Sequence, residues 1–290
     1  MADPAVAGAV ERQARAKVNL WLNVVGRRAD GYHLLDSLAA FSDLADTLAA
    51  EPSEGLSLTL DGPGAEAFAA ETDNLVLRAA RRLADRAGVA PRAALRLTKR
   101  IPVAAGLGGG SADAAAALAA LTDLWRLALP VEEMFDLAAA LGADVPMCLA
   151  GRASIVSGVG ERLEPAPPLP SCAILLVNPG VALPTAEVFS ARRGEFSVVR
   201  PVVRPWNDLA DFVAELARRG NDLTNAATAL RPTIADVLAF LRQSRRARYA
   251  AMSGSGATCF ALYETQSAAE QAAQDVPAAW WRHAGPLVSG

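Results

Sequence analysis

The sequence predicts a mixed helix-and-sheet protein built in two halves, and three observations carry that reading. Several short stretches alternate apolar and polar residues with period two, the signature of strands. Between them lie segments whose apolar residues recur at helical spacing. Near the middle, Pro165, Pro167, Pro168 and Pro170 make a stiff connector. The domain boundary is placed there, giving halves 1–165 and 166–290. A chain of 290 residues suits one large domain or two of ordinary size. The composition is 52% hydrophobic but only 6% aromatic. Alanine and leucine carry the apolar fraction, so Ala-rich helices packed closely on sheets are expected.

A formal charge of −3 and a pI near 5.5 give no support to nucleic-acid binding, which normally shows a basic excess. No stretch of about 18 apolar residues runs free of charge and glycine, so no membrane span is expected. The opening MADPAVAGAVERQARAK has neither a long apolar core nor a cleavage pattern, so no signal peptide is expected. Cys148, Cys172 and Cys259 are odd in number and lack CxxC or metal-ligand spacing. They read as buried thiols of a reducing cytoplasm.

Residues 1 to about 14 read as a frayed arm. From Ala16 to Val25 the chain alternates: Ala16, Val18, Leu20, Leu22 and Val24 face one way, Lys17, Asn19, Trp21 and Asn23 the other. This predicts a half-buried strand with Lys17 and Asn19 on one face, about 7 Å apart. Such residues are either a solvated face or a pair aimed at a ligand. Asp30-Gly31 is a turn signal, and Tyr32-His33 follows at once. That pair offers a stacking ring and a hydrogen-bonding tip, or an ordinary amphipathic loop. His33 is one of two histidines; His283 is far off in sequence without acidic neighbours there, so a histidine metal site is not expected. A strand at Leu56–Leu60 precedes the turn Asp61-Gly62-Pro63-Gly64. Asp73 is placed as the cap of a helix from Asn74 to about Ala87, ended by Gly88. A strand around Leu95 and Leu97 leads into a glycine loop.

That loop, IPVAAGLGGGSADAAAALAAL from Ile101 to Leu121, is the most informative stretch. Glycines without Cβ allow close backbone approach and positive φ. Ser111 is placed as the N-cap of an alanine-rich helix running to about Trp125. A loop feeding a helix N-terminus suits phosphate. It is not a P-loop, which would end in Gly-Lys-Ser/Thr, and its glycine spacing is not that of a dinucleotide fingerprint. A flexible connection before a core helix is the alternative. Pro130 separates this helix from another, Val131 to Leu141, with Gly142 as its C′ residue. Asp144 follows in apolar surroundings (LGADVPMCLAG) and reads as a helix cap, a catalyst, or both.

Ser154–Val156 is a strand, and Ser157 to Gly160 turn. The second half opens with a strand at Cys172–Val177 and a helix from Pro184, in which Phe189 is either core or a ligand-facing ring. Residues 194–206 are irregular. Helices follow from about Asp208 to Arg219 and from Pro232, the latter with a basic end at Arg242, Arg245, Arg246 and Arg248. A second Gly-Ser loop, Met252 to Thr258 with Gly254 and Ser255, either faces phosphate or turns a hairpin into the strand Cys259–Tyr263. A helix near Ser267–Asp275 and a short segment with Trp280 and Trp281 end the chain.

Three segments together resemble a known family. AKVNLWLNVVGRRADGYHLLDSL, PVAAGLGGGSADAAAAL and MSGSGATCFAL are similar, in order and spacing, to the three motifs of the GHMP small-molecule kinases. The resemblance covers nearly the whole chain. It implies an α+β two-domain GHMP kinase fold: a ribosomal-protein-S5-domain-2-like ATP-binding half first, a ferredoxin-like half second, and a cleft between them. It implies transfer of the γ-phosphoryl group of ATP to an alcohol. The ADGYHxLDSL and LGADVPMCLAG segments narrow the acceptor to a small molecule bearing a cytidine diphosphate group.

Carried over residue by residue, the catalytic aspartate is Asp144 and the catalytic lysine Lys17. The phosphate loop is Pro102, Val103, Ala104, Ala105, Gly106, Leu107, Gly108, Gly109, Gly110, Ser111 and Ala112. Tyr32, His33 and Phe189 embrace the cytosine, with Tyr32 and Phe189 expected to converge from different domains. Asn19 lies beside the reacting hydroxyl. Mg²⁺ is expected with few protein ligands, Ser111 among them. Ala104 and Ala105 stand where the family often has further glycines, and Ala112-Asp113 where Ser-Asn or Ser-Ser is common. Whether side chains at 112 or 113 touch nucleotide is left open by the resemblance. A sibling kinase acting on mevalonate or homoserine, or a non-catalytic ligand-binding regulator, are the rival readings.

Overall fold

A computed structural model of the chain describes residues 8–63, 74–103 and 105–289. The expected roles of Ala104, Gly64 and Asp73 lie outside the described residues, as do residues 1–7 of the expected arm. The first elements are β1 (Val10–Arg27), β2 (His33–Glu51), β3 (Leu56–Asp61), α1 (Leu75–Ala87) and β4 (Ala93–Thr98). After them come α2 (Gly109–Leu124), α3 (Val131–Leu141), α4 (Val145–Ala150), β5 (Ser154–Gly158) and β6 (Arg162–Pro165). Next are β7 (Ala173–Asn178), α5 (Thr185–Ala191), α6 (Leu209–Arg219), α7 (Thr224–Leu230) and α8 (Thr233–Gln243). The hairpin strands β8 (Tyr249–Met252) and β9 (Cys259–Tyr263), then α9 (Gln266–Gln274) and β10 (Trp281–Val288), complete the α+β fold.

The chain forms two compact units. One takes Met1–Ala16, Ala45–Val103 and Gly108–Ala150; the other takes Lys17–Leu44, Ala104–Leu107 and Gly151–Gly290. They interleave along the sequence because β1 and β2 each run from one into the other.

In the first unit β3 pairs parallel with β4, and β4 pairs antiparallel with Thr47–Glu51 of β2. Helix α1 starts at Asn74, whose side chain accepts from Val76 N–H, so the cap is Asn74. The helix ends at Gly88 with φ 66°, as its sequence predicts. Helix α2 is apolar nearly all round and is buried accordingly: Ala112, Ala114–Ala117, Leu118, Ala120, Leu121 and Leu124 are all inside. Its many methyl side chains let neighbouring backbones approach closely, and α1, α3 and α4 pack on it. Gly142 closes α3 as expected, its N–H on Ala138 carbonyl, but at φ 168° it is extended rather than left-handed.

In the second unit β10, β7, β9 and β8 form an antiparallel run. Helices α5 and α7–α9 contribute Val188, Ala227, Val237, Leu241 and Ala269 to its core. The start of β2 pairs with β5, which turns back into β6. Pro165 therefore ends a strand, and the proline connector begins after it.

Four expectations change. The arm is strand from Val10 onward, and Ala14 is buried. Residues 33–51, not expected to be strand, form the 19-residue β2. From Ala16 to Val24 both faces of β1 are buried: Lys17, Asn19, Trp21 and Asn23 are no more exposed than Leu22 on the opposite face, within a few per cent. The terminal segment with Trp281 is the strand β10.

Candidate active site

The glycine loop is held from both sides within the second unit. Lys17 N–H donates to Leu107 carbonyl at 2.9 Å, tying β1 to the loop. Thr258 Oγ donates to Ala105 carbonyl at 2.5 Å and accepts from Asn178 Nδ2 at 2.9 Å. Gly106 has φ +74°, and a Cβ there would lie 2.2 Å from the carbonyl oxygen of Gly256. Only glycine fits both the conformation and the approach. The second Gly-Ser loop thus lies against the first. It also joins β8 to β9 as a hairpin, with Asn221 Nδ2 donating to the carbonyls of Met252 and Gly254 at 2.8 Å each. Ser255 Oγ is 2.9 Å from Thr185 Oγ.

In the first unit, Pro102 and Val103 enter the loop, half-buried and exposed. Helix α2 then begins at Gly109 with Gly108 as its N-cap, at φ 66° and without a side-chain cap. Ser111 is therefore not the cap; it stands half-buried in the first turn. A glycine cap leaves the first-turn N–H groups of Gly109, Gly110 and Ser111 free of a competing side-chain acceptor, the arrangement that receives an anion. Ala112 is buried and forms part of the core instead.

Asp113 answers the question its position raised. It is 2% exposed and pairs with Lys99, whose ammonium reaches its Oδ2 at 2.6 Å and also bonds the buried carboxylate of Asp46. Asp46 Oδ1 in turn accepts from the N–H groups of Arg100 and Ile101. The cluster ties the end of β4, the loop entry and the first turns of α2 to β2. Burial pushes the Asp113 carboxyl up to about 7, with Lys99 pulling it down and Asp46 pushing it up. No sequence signal pointed to Asp46 and Lys99, which are 53 residues apart.

The polar face of β1 is a buried network. Lys17 Nζ donates to Asn19 Oδ1 at 2.8 Å, Asn19 Nδ2 donates to Ser37 Oγ at 2.8 Å, and Ser37 Oγ donates to Trp21 carbonyl at 2.6 Å. Asn19 N–H reaches Ser253 Oγ at 3.1 Å. One residue further along, Arg219 lies 4.2 Å over the Trp21 ring and 3.2 Å from Asp36, which also accepts from Trp21 Nε1. Lys17 and Asn19 are thus hydrogen-bonded inside the protein, not solvated.

His33 opens β2 and its ring stacks on Phe189 of α5, centroids 5.1 Å apart. Its pKa is lowered by burial and by the positive charges of Arg27 and Arg192, so the ring is neutral at pH 7. Tyr32 is 65% exposed in the preceding turn. Tyr32, His33 and Phe189 all belong to the second compact unit, although residue 165 separates Tyr32 and His33 from Phe189 along the sequence.

Asp144 lies just before α4, in the first unit, half-buried in the GADVP segment; its carbonyl accepts from Cys148 N–H at 3.1 Å. Cys172 and Cys259 are buried, and burial pushes the Cys172 thiol up to about 12. Cys148 is only half-buried. His283 does have an acidic neighbour in space: Asp43 Oδ1 is 2.8 Å from its Nε2, a pairing made by β10 and β2.

Comparisons with known proteins show the family. Residues 74–152 match the GHMP kinases N terminal domain and residues 202–282 the GHMP kinases C terminal. The chain belongs to the GHMP kinases, and so is an ATP-dependent small-molecule phosphotransferase. Its relative in Rhodospirillum rubrum, named 4-diphosphocytidyl-2-C-methyl-D-erythritol kinase, is 52% identical over 97% of this chain and 94% of its own. A kinase of the same name in Paramagnetospirillum magneticum is 50% identical over 96% of this chain and 98% of its own. A crystal structure of 4-(cytidine 5'-diphospho)-2C-methyl-D-erythritol kinase superposes with a TM-score of 0.79 at 39% identity, covering 97% and 100% of the two chains. No described helix is long and apolar enough to cross a membrane.

Proposed function

We propose that this kinase transfers the γ-phosphoryl group of ATP to the 2-hydroxyl of 4-diphosphocytidyl-2-C-methyl-D-erythritol, in the non-mevalonate route to isoprenoid precursors. The observation that carries the substrate is the His33 ring stacked on Phe189, with the positive charges of Arg27 and Arg192 acting on it. A flat neutral surface suits a pyrimidine, and positive charge beside it suits a diphosphate.

An alcohol is a weak nucleophile, and phosphoryl transfer depends mainly on positioning and charge stabilisation. Asp144 accepts the hydroxyl proton, and Lys17 stabilises charge on the transferring group. Asn19 holds the Lys17 ammonium and lies beside the reacting hydroxyl. Within the loop from Pro102 to Ala112, the backbone N–H groups of Gly109, Gly110 and Ser111 at the start of α2 grip the phosphates, and Gly254 and Ser255 are a further candidate phosphate loop. No cluster of three or more acidic, His or Cys ligands occurs among the described residues. A Mg²⁺ held chiefly by phosphate oxygens and water, with the half-buried Ser111 hydroxyl as its protein ligand, would neutralise phosphate charge. The division at residue 165 remains our reading of the domain boundary, supported by the two family matches falling on either side of it. The buried thiols of Cys172 and Cys259 support a reducing, cytoplasmic setting.

ADP release measured with the cytidylyl alcohol, free methylerythritol, mevalonate and homoserine tests the assignment. Turnover with the cytidylyl alcohol alone is expected. Preference for mevalonate or homoserine would return the chain to a sibling specificity, and no release with any alcohol would favour a regulator.

A further inference from the structure

The chain Lys17–Asn19–Ser37–Trp21 has an unusual property: the direction of every link is forced. An ammonium only donates, so Asn19 must turn its Oδ1 to Lys17, 2.8 Å away. A backbone carbonyl only accepts, so the single hydroxyl proton of Ser37 is committed to Trp21 carbonyl, 2.6 Å away. What remains on Ser37 Oγ is acceptor capacity, and Asn19 Nδ2 fills it at 2.8 Å. Both ends of the Asn19 amide are thereby fixed, and its backbone N–H is held by Ser253 Oγ. Lys17, Asn19 and Ser37 are 5%, 7% and 1% exposed, so bulk water does not compete for these bonds.

We propose that Ser37 is a positioning residue for phosphoryl transfer: its hydroxyl orients the Asn19 amide, which holds the Lys17 ammonium in place. The proposal rests on the reading that Lys17 and Asn19 serve the reaction. Without the Ser37 oxygen, the buried Nδ2 donor has no fixed partner there, and the amide can rotate about its last torsion. The ammonium then loses the fixed oxygen of Asn19. Ser37 touches neither end of the reaction directly, so its removal is felt in the chemical step more than in ATP binding.

Steady-state kinetics on Ser37→Ala, Ser37→Thr, Asn19→Ala, Lys17→Ala and the Asn19→Ala/Ser37→Ala double variant test this, with thermal melting as a check on folding. The expected result is a fall in kcat of roughly 10- to 100-fold for Ser37→Ala, the scale of a small misplacement of a reacting group. KM for ATP should stay within about twofold, and Ser37→Thr, which keeps the hydroxyl, should recover most of the loss. In the Asn19→Ala background, Ser37→Ala should lower kcat no further, because the group it acts through is gone. A merely structural role would lower kcat equally in both backgrounds, and that result overturns the proposal. So does wild-type kcat in Ser37→Ala while Lys17→Ala is inactive. If Lys17→Ala itself keeps full turnover, the fault lies in the role given to Lys17, and the proposal falls with that reading.

Discussion

The imidazole of His33 lies flat against the ring of Phe189, with centroids 5.1 Å apart and planes 27° from parallel. This is a closed contact. A base inserted between the rings would need two layers of about 3.5 Å each. On the proposed substrate reading, the cytosine would stack on an outer face of the pair, with the exposed Tyr32 as the further ring. Removing Tyr32 or Phe189 should have different consequences. Tyr32→Ala should raise KM for the cytidylyl substrate roughly tenfold or more, the worth of one stacking partner, with KM for ATP unchanged. Phe189→Ala should do the same and also lower the melting temperature, because Phe189 packs against the core of its unit. Equal effects of Tyr32→Ala on both substrates would contradict the stacking role.

Asp113 makes stability depend on pH in a sense opposite to most carboxylates. Its folded pKa is raised from 3.8 to about 7. Between those values the unfolded chain has released the proton and the folded one still holds it, so stability falls as pH rises through the window and levels off above it. Asp113→Asn removes this slope. The melting temperature of that variant, less that of wild type, should climb from pH 4.5 to about pH 7 and then stay constant. A flat or falling difference across the window would show that Asp113 is ionised in the folded state.

Lys99 tests the same cluster from the other side. Lys99→Met leaves the buried Asp46 carboxylate and the Asp113 carboxyl without their shared cation. Breaking such a group typically costs about 3–5 kcal/mol. Chemical denaturation should show a loss of that size. Because Asp46 also holds the N–H groups of Arg100 and Ile101 at the loop entry, KM for ATP should rise as well.

Gly106→Ala should cripple nucleotide use. The added methyl would meet the Gly256 carbonyl at 2.2 Å, on a backbone already at φ +74°. The left-handed conformation alone costs an alanine about 1–2 kcal/mol, and the clash would push the two glycine loops apart. A large loss of kcat/KM for ATP is expected; wild-type ATP kinetics would contradict the account of the loop.

Local signals were readable where neighbours in sequence decide the structure. The Gly88 stop, the alternation around Lys17 and the hairpin at Gly254 all follow from short-range chemistry. Residues 33–51 misled because LLDSLAAFSDLADTLAA is rich in alanine and leucine and poor in β-branched residues, so propensity does not announce a strand; pairing with β5 and β10 on one part and β4 on the other makes it one. The polar face of β1 was legible as Lys17 and Asn19 on one side, but not its burial, which depends on Ser37, Ser253 and Arg219. Ser111 read as a cap because serine favours that place; Gly108 takes it because the chain enters the helix at positive φ. Asp113 was visible only as a departure from the usual pattern, since its partners Lys99 and Asp46 come from other elements.

The most direct test of the account is ADP formation from ATP and 4-diphosphocytidyl-2-C-methyl-D-erythritol by wild type and by Asp144→Asn. The wild type should turn over with this substrate and not with the free polyol. The variant, which keeps the shape but not the base, should lose roughly 10²- to 10⁴-fold in kcat while binding ATP with little change. Equal rates for the free polyol, or near-wild-type turnover in Asp144→Asn, would contradict it.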